Sequence, residues 1–94
     1  MLLRLVRFTL DLRASTQVQA LANELISAIK QQPGCQSAVF FGGGSDGDYG
    51  MCVLWDSQTH ADAAFAMINP KFQAHIAGKV TAPVDIHNFP VLAN

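Results

Sequence analysis

The chain has 94 residues, half of them hydrophobic and only 14% charged, with six basic against seven acidic side chains and a net charge of −1. That length is one domain over residues 1–94, near the lower limit for a self-sufficient core, and the apolar content exceeds what so small a monomer hides. Six dispersed Lys and Arg residues give no footprint for a phosphate backbone, and no segment reaches the ~20 apolar residues of a membrane span or has a signal cleavage pattern. The expectation is a soluble cytoplasmic protein that binds neither nucleic acid nor membrane.

Residues 2–10, LLRLVRFTL, are rich in Leu, Val and Phe without a breaker and predict a strand. Ser15 or Thr16 then caps a helix whose apolar positions Val18, Leu21, Ala22, Leu25 and Ile29 recur at helical spacing until Pro33-Gly34 stops it. Residues 35–42 and 49–55 flank GGSDGD, a run of turn-forming residues, and predict a hairpin. Ser57 caps a second helix with Ala61, Ala64, Phe65 and Ile68 on one face, and Asn69-Pro70 predicts a fresh start that carries a short helix to about Gly78. VDIHNF, between Pro83 and Pro90, is the last strand.

The order is the ferredoxin-like β-α-β-β-α-β of an α+β fold with a four-stranded antiparallel sheet. Right-handed crossovers put both helices on one face of that sheet and leave the other bare. The third strand is nevertheless apolar on both sides, with Tyr49, Met51, Val53 and Trp55 pointing one way and Cys52 and Leu54 the other. A second copy laid against the bare face is the simplest cover, which predicts a homodimer through the exposed sheet face. A cavity for a small apolar or aromatic ligand is expected between sheet and helices or between the two sheets.

Three short segments, taken together with the order of elements, extend over nearly the whole chain: Pro33-Gly34-Cys35 opening the second strand, Trp55-Asp56-Ser57 ending the third, and Asn69 to Ala74, NPKFQA. In this register the chain resembles the antibiotic biosynthesis monooxygenase-like family, which implies a dimeric α+β barrel. The family includes cofactor-independent oxygenases of aromatic, quinol-type substrates and haem-degrading enzymes. Two positions depart from the family pattern: Val53 stands where members often have Glu, and Ala66 where they often have His. The first strand has no Asn, Phe65 falls near a Trp of the haem-degrading members, and His75 is offset by one residue from their haem ligand, so haem degradation is disfavoured.

The residues that could carry chemistry are few. His75 follows Phe72 by one helical turn, and His87 lies two residues from Asp85 on one strand face, so either could serve as a general base. Arg7 or the Trp55 indole N–H would stabilise a developing anion, while Trp55, Tyr49, Met51, Phe65 and Phe72 would form the substrate-binding wall. Arg4 and Arg7 fall on opposite faces of the first strand. His60, in the first turn of the second helix, is expected to face solvent.

No metal-ligand spacing and no nucleotide fingerprint is present, and GGGSDGDYG lacks the Lys and helix of a phosphate loop. Cys35 and Cys52 lack redox spacing and are expected to be reduced. The resemblance thus implies a monooxygenase using no cofactor, with a non-catalytic small-molecule-binding or stress-response protein on the same scaffold as the alternative.

Overall fold

The computed structural model describes residues 1–11, 15–42, 47–76 and 84–94, and within them every side chain except those of Ser15, Thr16, His75 and Ile76. Six elements follow the anticipated order: β1 (Leu2–Thr9), α1 (Ser15–Lys30), β2 (Cys35–Gly42), β3 (Asp48–Trp55), α2 (Gln58–Ile76) and β4 (Asp85–Pro90). The capping side chains expected at Ser15 or Thr16 and the turn expected near Asp46 lie outside the described residues.

The strands form one antiparallel sheet in the order β2-β3-β1-β4. β1 is central, with Leu5 opposite Cys52 on one side and His87 on the other. The sheet is open, and this corrects the expectation of a barrel. β2 pairs only with β3 and β4 only with β1, so both keep a free edge. Closure would need those two edges to meet, whereas four strands twist without curling far enough.

Strand alternation sorts side chains to the two sheet faces. Arg4, Val6 and Phe8 of β1, Ala38 of β2, and Tyr49, Met51, Val53 and Trp55 of β3 are buried beneath the helices. All of these but Arg4 join the α1 stripe Val18, Leu21, Leu25 and Ile29 and the α2 residues Ala61, Ala64 and Phe72 in one core. Phe8 sits at the centre of an aromatic cluster, edge-on to Phe40 and Phe72 with ring centroids 5.8 and 5.2 Å away, and stacked with Tyr49 at 6.2 Å. Edge-on and offset pairs satisfy the ring quadrupoles and add to the burial of apolar area.

Local chemistry explains where the elements stop. α1 ends as the chain turns through Gly34, whose φ of 84° is a left-handed conformation open to glycine. A Cβ there would also collide with the side chains of Asp56 and His60, so two constraints fix the residue type. α2 begins at Ser57, whose Oγ accepts from the backbone N–H of His60 at 3.2 Å, an N-cap.

α2 does not restart at Asn69-Pro70 as the sequence suggests. It runs unbroken from Gln58 to Ile76 with Pro70 inside. The proline lacks an N–H for the carbonyl of Ala66, but buried Ala64 and Phe72 pin the helix on both sides of it. Among the described residues no helix is long and apolar enough to cross a membrane.

Candidate functional site

A cleft of about 270 Å³ lies between α2 and the sheet. Its floor is Val6 on β1 with Met51 and Val53 on β3, and Ile86 of β4 closes one side. α2 supplies the roof through Ala61, Ala64, Phe65, Ile68 and Phe72, positions three or four residues apart that share one helical face. Along that face the small residues Ala61 and Ala64 are followed by the larger Phe65, Ile68 and Phe72.

Among the described residues, polarity in the lining is confined to Arg4, Asn69 and Gln73. Arg4 is the ionisable one, and it is 8% exposed. Its Nε donates to Asn88 Oδ1 at 2.7 Å, one terminal nitrogen donates to the Ala61 carbonyl at 3.2 Å, and the other to Asp62 Oδ1 at 2.8 Å. One side chain thereby ties β1 to β4 and to the first turn of α2. The guanidinium hydrogen bond holds the Asp62 carboxyl below the ordinary aspartate range. At the other end of the cleft, Gln73 Nε2 donates to Asn69 Oδ1 at 3.3 Å.

The anticipated residues divide. Met51, Phe65 and Phe72 line the cleft. Trp55 is in the core at 3% exposure and is not among the residues lining this cleft. Tyr49 borders a different depression, between α1 and the β2-β3 pair, with Val18, Ala22 and Phe40. Arg7 and His87 lie on the opposite face of the sheet. Their register partners there are Gly50 and Asp85 for Arg7, and Leu5 for His87, whose ring stacks on Phe89 at 6.4 Å. With the whole sheet between them and the cleft, neither reaches a molecule bound in it. The side chain of His75 lies outside the described residues.

Of the two strand-one arginines that could hold an anionic oxygen, Arg4 is the one that lines the cleft. Alternation had separated it from Arg7, but which face receives the helices is a tertiary fact, and the helices cover the Arg4 face.

Two further groups lie apart from the cleft. His60 Nδ1 meets Asp56 Oδ1 at 2.6 Å at the junction of β3 and α2, and that bond lowers the Asp56 pKa. Burial pushes the Cys35 thiol up, against the pull of Lys30. Cys35 pairs with Trp55, three residues or about 10 Å along β3 from Cys52, so the two thiols do not meet. Among the described residues no group of three or more His, Cys, Asp or Glu side chains could hold a metal ion.

No family model matches the sequence, and no curated protein matches it either. Solved structures do match, over nearly the whole length. Rv0793 from Mycobacterium tuberculosis is 18% identical with a TM-score of 0.84, covering 99% of this chain and 96% of its own. An antibiotic biosynthesis monooxygenase is likewise 18% identical at a TM-score of 0.78, covering 99% of this chain and all of its own. A variant of SnoaB, a cofactor-independent oxygenase from Streptomyces nogalater, is 17% identical at a TM-score of 0.79, covering 99% and 94%. At these identities the agreement is one of backbone architecture, and by that architecture the chain has the fold of the antibiotic biosynthesis monooxygenase-like proteins.

Proposed function

We propose that the chain binds a small aromatic molecule of phenol or quinol type in the cleft between α2 and the sheet, and oxygenates it with molecular oxygen and no cofactor. We propose further that it does so as a homodimer through the bare face of its sheet. The cleft carries this reading: its walls are aliphatic and aromatic, and its single described ionisable group is a buried arginine. Such walls offer little polar surface, so a buried positive charge at one end acts on a bound anion with less dielectric screening than in water. The fold shared with a cofactor-independent oxygenase supports the choice of reaction.

In the proposed reaction a base takes the phenolic proton and the electron-rich anion reduces oxygen. One oxygen atom enters the carbon framework and the other leaves as water with two hydrogens released by the substrate, so no outside reductant is consumed. His75, three residues beyond the cleft residue Phe72, is the proposed base. Arg4 takes the role of anion stabiliser first expected of Arg7.

Oxygen uptake with a panel of phenols and quinols tests the reading. Wild type is expected to exceed the buffer rate, His75→Ala to lose about 10²–10⁴-fold, and Ala64→Phe, which fills the cleft, to lose both uptake and binding. Uptake at the buffer rate with compounds that do bind would leave a binding protein without turnover. One observation favours that second reading: the described lining offers no His, Asp or Glu as a base.

A further inference from the structure

Burying a guanidinium in the wall of an apolar cleft is costly unless its charge and its donors are matched. Arg4 carries five N–H hydrogens, and among the described residues Asn88, Ala61 and Asp62 accept three of them. Among the described residues, each terminal nitrogen keeps one without an acceptor. The charge is also matched from one side only. The Asp62 side chain is 60% exposed against 9% for that of Arg4, so solvent screens the carboxylate while the guanidinium stays in a dry wall. Asp62 does not line the cleft, whereas Arg4 does. The wall therefore presents a fixed cation with donors in reserve to whatever occupies the space.

We infer that Arg4 is a specificity-determining residue that selects an aromatic oxyanion, a flat ligand of one or two rings ending in a carboxylate or phenolate, over its neutral counterpart. The inference rests on the cleft being the binding site proposed above. Size agrees with it: a dry cavity of about 150 Å³ takes one benzene ring, so 270 Å³ has room for a fused pair. Direction agrees as well. The Arg4 contact at Ala61 and the amide pair at Asn69 and Gln73 mark opposite ends of the α2 roof. From Ala61 to Asn69 is about 12 Å along the helix at 1.5 Å per residue, and Ala64, Phe65 and Ile68 fill the interval with apolar surface. An oxyanion is held at the first end and the rings lie along the interval.

Isothermal titration with 1-naphthoate and 1-naphthalenemethanol, which share a ring system and differ in charge, tests this. Wild type is expected to bind the carboxylate about 10–100-fold more tightly, the range of a charged hydrogen bond. In Arg4→Met that preference is expected to fall to within about twofold, with the alcohol bound as before. Should Arg4→Met fail to fold, as circular dichroism would reveal, exposed Asp62→Asn keeps the inference testable. Removing the competing carboxylate is expected to tighten naphthoate about three- to tenfold and leave the alcohol unchanged. Equal affinity for the two ligands in wild type, with both lost in Ala64→Phe, overturns the selection of an oxyanion while the cleft remains a binding site. No binding of either ligand overturns both.

Discussion

Arg4 and Asp62 are 58 positions apart in sequence yet meet at 2.8 Å, and the pair answers to pH in a definite sense. The folded Asp62 carboxyl is held below its ordinary value, first by the Arg4 hydrogen bond and then by Gln58. A depressed carboxylate contributes stability that is present above the unfolded pKa and is lost as pH falls through the folded one. The contribution is therefore complete at neutral pH and fades from about pH 5 downward. Asp62→Asn removes it at every pH. The melting-temperature difference between wild type and Asp62→Asn is expected to be largest near pH 7 and to close in acid. A difference that stays constant from pH 7 to pH 2 would show that the ionised carboxylate contributes nothing. The magnitude is small because the carboxylate is in water, which is also why the pair leaves the Arg4 charge available to the cleft.

Among the elements, α2 is the one whose sequence and structure disagree, and the disagreement can be measured. Pro70 removes one helical hydrogen bond and crowds the carbonyl of Ala66, which costs about 3 kcal/mol in a helix interior. It also restricts the unfolded chain, which offsets about 0.4–1 kcal/mol. Pro70→Ala is thus expected to raise stability by about 2 kcal/mol in urea denaturation. No gain, or a loss, would mean that the helix is already relaxed around the ring. The elements were legible in sequence wherever burial imposes a period. The α1 stripe Val18, Leu21, Ala22, Leu25 and Ile29 is the buried stripe of the structure, and the β3 row from Tyr49 to Trp55 is its buried row. At Pro70 a local rule met a tertiary force, the burial of Phe72 beyond it, and lost. The cleft was less legible than the elements. Met51, Phe65 and Phe72 could be picked out as large apolar residues on inward faces, but the Arg4 contacts join residues 57 to 84 positions apart, a separation that no periodicity encodes.

At the scale of the whole molecule the open sheet leaves one face without cover. The register sets three rows across it: Ser37, Leu54, Leu3 and Phe89; then Val39, Cys52, Leu5 and His87; then Phe41, Gly50, Arg7 and Asp85. Val39, Phe41 and Phe89 are 56, 39 and 48% exposed, and Asp85 and His87, the other β4 residues on this face, are exposed as well. The Phe41 ring lies so close over Gly50 that a Cβ there would strike it, so even the glycine of the third row is roofed by apolar surface. Apolar area of this kind, contiguous over the middle of a sheet, exceeds the scattered exposure normal for a monomer. The rows also place their charged pair, Arg7 and Asp85, at one end rather than in the middle, as an interface with an apolar centre and a polar rim requires. The proposed dimer is therefore expected to sediment as two chains at micromolar concentration, because an obligate interface of this type buries roughly 2,000 Å² or more. Leu5 occupies the centre of the middle row, and Leu5→Glu puts one carboxylate from each copy into the seam, where neither has a partner. That variant is expected to sediment as a single chain. Met67→Glu, at a position 71% exposed on α2, is expected to leave the mass unchanged. Wild type sedimenting as a single chain, or Leu5→Glu still as two, would exclude the bare face as the seam.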